Sequence, residues 1–205
     1  MKLIGIIGGV ASGKSEVAKC LAELGATVLD ADAAGHEVLR EPQIEQAARQ
    51  RWGNAIFGPD GHIDRKALAG IVFGPEPKAA TELKHLESLT HPRIRQRLKA
   101  RIEELTKQGI HSAAVLDAPV LLKAGWDELC DAIVYVDAPQ FVRLARAQQR
   151  GWSAEEWVRR EGAQEPLPEK QARADITIDN SGNLEHTRQQ VREFWGFLFP
   201  DFRPN

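Results

Sequence analysis

Leu3 to Ile7 is an almost unbroken apolar run of strand length, the pattern of a strand covered on both faces. A glycine-rich turn follows, and then Val17, Leu21 and Leu24 recur at helical spacing until Gly25 stops them. Four further short runs look alike. Thr27–Leu29 ends at Asp30-Ala31-Asp32, Ala113–Leu116 at Asp117, Ala132–Val136 at Asp137, and Ile176–Ile178 at Asp179-Asn180. Strands alternating with helical segments predict an α/β fold with a parallel sheet covered on both sides. Ligands in such sheets sit at the carboxyl ends of the strands, so the aspartates gather where a site belongs.

Between the second and third runs the chain is helical in pattern, with no convincing strand. Asp64 is placed to cap a helix through Leu68 and Val72. Leu83, Leu86 and Leu89 mark a second helix, and Pro92 is placed to open a third through Ile94, Leu98 and Ile102. Arg51 to Asp64, with Gly53, Gly58, Pro59 and Gly61, reads as loop. The expectation is one α/β core carrying a helical insertion.

Composition narrows the class. A chain of 205 residues suits one domain with a generous insertion. With 27 Lys+Arg against 29 Asp+Glu, the formal charge of −2 argues against a generally basic nucleic-acid binder. Cys20 and Cys130 stand far apart and make neither a disulfide framework nor a metal cluster, which suits a reduced, cytoplasmic setting. No apolar run reaches the ~18 residues of a membrane span. Lys2 and the run Leu3–Ala11 have the outline of a signal peptide, but glycines break it. It also closes on Gly13-Lys14-Ser15 rather than on a small-residue cleavage site.

Chemistry enters at that same turn. Gly8-Gly9-Val10-Ala11-Ser12-Gly13-Lys14-Ser15 fits the phosphate-loop pattern, directly after a strand and directly before a helix. The glycines let backbone N–H groups converge on phosphate oxygens, and the helix N-terminus adds a favourable dipole. Lys14 is expected to neutralise the β- and γ-phosphates of ATP, and the Ser15 hydroxyl to hold Mg²⁺. Asp30 and Asp32 then gain weight. A carboxylate in the crevice can take the proton of an attacking hydroxyl and orient it, and Asp32 is the candidate, with Asp30 in a supporting place. Asp117 ends its strand as a candidate Mg²⁺ ligand.

From Pro139 a helix is predicted, with Phe141, Leu144 and Ala145 on one side and Arg143, Arg146 and Arg150 on the other. Ser153-Ala154-Glu155-Glu156 is a capping box that starts a second helix, which carries Arg159 and Arg160. Two arginine-bearing helices joined by a turn suggest a lid that closes over phosphates, where guanidinium groups absorb transition-state charge.

The chain resembles the dephospho-coenzyme A kinases nearly from end to end. The resemblance rests on GGVASGKS, LDADAAGHEV, FGPDGHIDRKALAGIVF, LTHPRI, LDAPVLL and ADITIDNSG, in that order. It implies transfer of the ATP γ-phosphate to the ribose 3′-hydroxyl of dephospho-CoA, the last step of coenzyme A synthesis. It also implies a five-stranded parallel sheet of nucleoside-monophosphate-kinase type. The core would be residues 1–32, 108–138 and 174–205, the acceptor-binding helical insertion 33–107, and the lid 139–166. Carried over to these positions, Gly9 to Glu16 bind ATP, and Asn180 and Gly182 lie near the adenine. Lys14, Asp32, Arg143, Arg146 and Arg150 serve transfer, while Ser15 and Asp117 hold Mg²⁺. Asp32, His36, His91, Arg93, Leu121 and Lys123 face the acceptor. A monomer acting on a small molecule, without nucleic-acid or membrane partners, is the matching expectation.

Three departures stand out. The family usually reads Gly-Gly-Ile-Gly-Ser-Gly-Lys-Ser followed by Thr, where this chain has Val10, Ala11 and Glu16. An acid usual after the third strand is replaced by Lys123. The lid arginines are also spaced unusually. Two other readings have less support. A shikimate- or gluconate-type kinase also carries D-x-D after its second strand, but the long insertion favours a larger acceptor. A regulatory nucleotide switch would use D-x-x-G, which Asp32–Gly35 spells, yet no N-K-x-D guanine motif occurs.

Overall fold

Five strands, β1 (Lys2–Gly8), β2 (Ala26–Asp30), β3 (Ala113–Asp117), β4 (Ala132–Asp137) and β5 (Ile176–Asp179), form one sheet in the order β2-β3-β1-β4-β5. Every pairing is parallel. The computed structural model describes residues 1–74 and 78–201. Residues 202–205, the end of the 174–205 segment expected in the core, lie outside the described residues.

The apolar run of β1 makes it the central strand, buried from Leu3 onwards. Ile4 and Ile6 join Val115, Val134, Val136 and Ile178 on one face of the sheet. That face is covered by α1 (Lys14–Glu23), through Val17, Cys20 and Leu21, and by α9 (Leu184–Leu198), through Val191, Phe194 and Trp195. Trp195 and Phe199 stack at 4.6 Å, so most of the C-terminal aromatic cluster is core, although Phe197 is exposed. Asn183 caps α9 by accepting from the His186 N–H at 2.9 Å.

Register brings the strand ends together. Asp30 pairs with Asp117, and Asp137 with Asp179. Three helices follow in the same unit: α6 (Gln140–Gln149), α7 (Ala154–Gly162) and α8 (Leu167–Ala172). The capping box is realised, with Ser153 Oγ accepting from Glu156 N–H at 3.1 Å.

By contacts the chain divides into two compact units, Met1–Asp30 with Ile102–Asn205, and Ala31–Arg101. The second unit holds α2 (Ala31–Val38), α3 (Pro42–Trp52), α4 (Arg65–Val72) and most of α5 (Lys78–Gln108). Its core is Ala48, Ile56, Leu68 and Val72, packed against Trp52, Leu83 and Leu86. The loop-like Arg51–Asp64 stretch is pinned by a bridge between Phe57 and Ile63, with the Arg49 guanidinium 3.6 Å over the Phe57 ring.

Pro92 does not open a separate helix; it lies inside α5. Proline there removes one backbone hydrogen bond and costs about 3 kcal/mol in an isolated helix. The buried stripe Thr90, Ile94 and Leu98 runs in phase across it, so packing holds the helix straight through. Neighbouring hydroxyls bond back to the ladder, Thr90 to the Leu86 carbonyl and Ser88 to that of His85.

Asp64 caps α4 as its position predicts, accepting from the N–H groups of Lys66 at 2.8 Å and Ala67 at 3.2 Å. Asp64→Ala is expected to cost about 1 kcal/mol, read as a lower denaturation midpoint at unchanged slope. An unchanged midpoint would show the cap to be idle.

Candidate active site

The loop between β1 and α1 is shaped by its glycines. Gly13 has φ +99°, and a Cβ there would fall 2.0 Å from the Asn180 amide nitrogen. A Cβ on Gly9 would fall 2.5 Å from Arg143 Nη1. The backbone therefore comes close to two polar side chains that no other residue type would admit. Ala11, at φ +62°, adopts the left-handed region without being glycine. That conformation costs about 1–2 kcal/mol. Its methyl is buried with Val10, Ala147 and Trp157, contacts that offset the strain.

Two side chains clamp the loop from outside. Arg146 donates to the carbonyls of Ser12 at 3.0 Å and Asn180 at 2.8 Å. Asn180 Nδ2 donates to the same Ser12 carbonyl at 2.7 Å, while its Oδ1 accepts from Thr187 at 2.9 Å. The Ser12 hydroxyl, fully buried, has no hydrogen-bond partner among the described residues. An orphaned, buried hydroxyl in this loop fits one built around a polar ligand.

Positive charge converges here. Lys14 Nζ donates to the carbonyls of Gly8 at 3.3 Å and Gly9 at 3.0 Å. Burial holds its pKa down at about 8, with Asp117 the strongest opposing charge and Lys170 pushing the same way as burial. Arg143 is 4% exposed; its Nε donates to the Ala138 carbonyl, and its Nη1 is paired with Glu161. The other Glu161 oxygen accepts from the Val10 N–H at 2.8 Å. A carboxylate thus stands against a loop N–H and a buried guanidinium, partners that a phosphate oxygen would equally suit.

These strands, loop and cations suit a nucleotide phosphate, and comparison with known proteins narrows the class. The family model for dephospho-CoA kinase matches residues 2–186. The chain belongs to the dephospho-CoA kinase family. The Geobacter sulfurreducens dephospho-CoA kinase is 39% identical over 203 residues, covering 98% of this chain and all of the relative. That of Carboxydothermus hydrogenoformans is 41% identical over 193 residues, covering 93% and 91%. A crystal structure from Thermus thermophilus superposes with TM-score 0.78 at 35% identity, over 96% of this chain and 97% of that one. A shikimate kinase from Acinetobacter baumannii, solved with shikimate, shares the fold alone, at TM-score 0.51 and 15% identity over 100% and 96% of the two chains.

Within this kinase it is the arginine side of α6, not the Phe141 side, that turns inward. Arg143 and Ala147 point inward, while Phe141 is 74% exposed. Two partners, the Ala138 carbonyl and the half-buried Glu161, offset the desolvation of Arg143. Arg150 follows the last turn of α6, is exposed, and does not join Arg143 and Arg146. Arg160 lies 4.1 Å over the Trp152 ring and bonds Glu156.

The remaining candidates are scattered. Ser15 is exposed at the start of α1, Glu16 half-buried beside it, and Asp117 half-buried at the end of β3. Gly182 is exposed after β5. Lys123 is exposed in the turn after β3. Leu121 in that turn is fully buried and packs in the core, so it presents no surface to an acceptor. In the second unit Asp32 is exposed in the first turn of α2, and His36 accepts from Arg65. His91 is half-buried on α5. Arg93 is spent on Glu41, at 2.8 Å and 2.7 Å, and Arg97 binds the same carboxylate, holding its pKa below the usual range.

Sequence reading missed Glu161 and Lys170. Both lie in charged, polar helices where only tertiary contact shows that they are turned inward, and no spacing marks them.

Proposed function

We propose that this kinase transfers the γ-phosphate of ATP to the ribose 3′-hydroxyl of dephospho-CoA, yielding coenzyme A and ADP. The observation that carries this reading is the desolvated Lys14 in a glycine cradle at the carboxyl edge of the sheet, in a chain whose relatives bear the name dephospho-CoA kinase. In the transfer the 3′ oxygen forms a bond to the γ-phosphorus, and the bond from that phosphorus to the bridging oxygen breaks. ADP leaves and the hydroxyl proton passes to Asp32. Because the transition state is loose, charge spreads over three equatorial oxygens, and fixed cations stabilise it. Lys14, Arg143 and Arg146 supply them. Asn180 and Arg146 hold the loop rigid, so little reorganisation is left for the reaction itself.

The Ser15 hydroxyl and the Asp117 carboxylate are hard oxygen donors of the kind Mg²⁺ takes. Mg²⁺ in such sites is held mainly by phosphates and water, so one or two protein oxygens suffice. When bound, Mg²⁺ neutralises phosphate oxygens.

The test is transfer from ATP measured across dephospho-CoA, shikimate, gluconate and no acceptor. Turnover is expected with dephospho-CoA alone. Preference for shikimate or gluconate would replace the acceptor, and acceptor-independent hydrolysis would favour a switch.

Lys14 gives the binding step a pH signature. Its pKa near 8 in the free enzyme rises when phosphate arrives, since an adjacent anion favours the charged form. At about pH 9 nucleotide binding is therefore expected to take up close to one proton, and affinity should weaken as pH rises through the Lys14 pKa. Calorimetry in buffers of different ionisation enthalpy reads the uptake. A buffer-independent heat at that pH would contradict it.

Lys123 is expected to favour the anionic acceptor. Lys123→Glu should raise KM for dephospho-CoA several-fold, about 1 kcal/mol, with KM for ATP held. The effect should shrink with salt. An unchanged acceptor KM at low salt would return Lys123 to the ordinary surface.

A further inference from the structure

Lys170, on α8, is 3% exposed. Its ammonium donates to Gln164 Oε1 at 2.6 Å and, at 3.5 Å, to the carbonyl of Gly8, the first residue of the phosphate loop. Among the described residues it forms no ion pair. Glu165 and Glu161 act on it only as more distant charges. Lys14 bonds the same Gly8 carbonyl, so two ammonium groups share one acceptor. Both line one small cavity with Glu165, Ala118 and Pro119, the last two directly following Asp117.

Two like charges, drawn together and largely out of water, are an unfavourable arrangement in a protein interior. A structural tie between α8 and β1 would need one neutral donor, not a second cation. An anion bound between the two ammoniums would turn the same arrangement favourable. The position within the loop says which part of a nucleotide. The backbone at the α1 end of a phosphate loop cradles the inner phosphates, and the loop lysine reaches outward to the terminal one. Gly8 lies at the opposite end of the loop from α1, on the side of Asp117.

We propose that Lys170 is a second phosphate-binding lysine, which joins Lys14 on the terminal phosphoryl group of the nucleoside triphosphate. This rests on the kinase reading above. Lys170 exchanges Gln164 and the Gly8 carbonyl for phosphate oxygens. Like Lys14, it stabilises the charge that spreads over the phosphoryl group during transfer.

The experiment compares binding of ADP and of a non-hydrolysable ATP analogue to the wild type, Lys170→Met and Lys170→Arg, with thermal unfolding of each. Lys170→Met is expected to bind the triphosphate analogue ~10²-fold more weakly and ADP within about threefold, with an unfolding temperature unchanged or raised. Lys170→Arg, which keeps the charge, should retain most of the triphosphate preference. Equal losses for both nucleotides, no loss for either, or a Lys170→Arg variant as impaired as Lys170→Met would overturn the proposal. Should Lys170→Met not fold, Lys170→Gln gives the same comparison. The readout needs no acceptor. A wild type that binds both nucleotides but does not phosphorylate dephospho-CoA would therefore sink the acceptor assignment while leaving the Lys170 result to be read.

Discussion

Lys14→Met is expected to lower kcat/KM for ATP by at least ~10²-fold in a protein that still folds. Among the described residues the Lys14 ammonium bonds two carbonyls, those of Gly8 and Gly9 in the loop itself. It is therefore free to move to phosphate without breaking a structural ion pair. Its depressed pKa says that burial disfavours the charge in the free enzyme, so methionine, of similar length, removes a strained group rather than a support. The loss should fall mainly on kcat, because charge on the equatorial oxygens is felt most strongly in the transition state. Steady-state kinetics beside a thermal melt checks this. A folded variant with near-normal turnover would remove Lys14 from the chemistry.

Asp32→Asn is expected to cut kcat by ~10²–10³-fold, with KM for ATP nearly unchanged. The substitution keeps the size and one hydrogen-bond acceptor but removes the base. In a loose transition state the acceptor proton departs late, so in the proposed transfer Asp32 would both orient the hydroxyl and receive its proton. Asp32→Ala should fall further, because orientation goes as well. A variant that loses ATP binding while keeping kcat would place Asp32 with the metal ion instead.

What could be read from the chain was whatever is local. The apolar runs mark all five strands, each within two residues of its end, because burial on both faces leaves a continuous signal. The terminal aspartates of β2 to β5 mark the ligand edge, and the phosphate loop declares itself through its glycines. The Asp64 and Ser153 caps are likewise one-turn features. What failed depended on distant partners. Pro92 ends a helix by local rules, yet a buried stripe carries α5 past it. The arginine helix has an apolar and a basic side, and tertiary partners such as Glu161 and the Ser12 and Asn180 carbonyls decide which one turns inward. Lys170 sits in Leu-Pro-Glu-Lys-Gln-Ala, a segment whose composition reads as surface, and its burial comes from the loop residue Gly8 far away in the chain. Asn180 was a candidate in the sequence, but its grip on the Ser12 carbonyl was not legible there.

The most direct test of the account is phosphorus NMR of the product after incubation of the enzyme with ATP, Mg²⁺ and dephospho-CoA. The account predicts a new phosphomonoester resonance assignable to the ribose 3′ position, growing in step with ADP and vanishing when dephospho-CoA is omitted. ADP accompanied only by inorganic phosphate, or phosphorylation at any other hydroxyl, would contradict it.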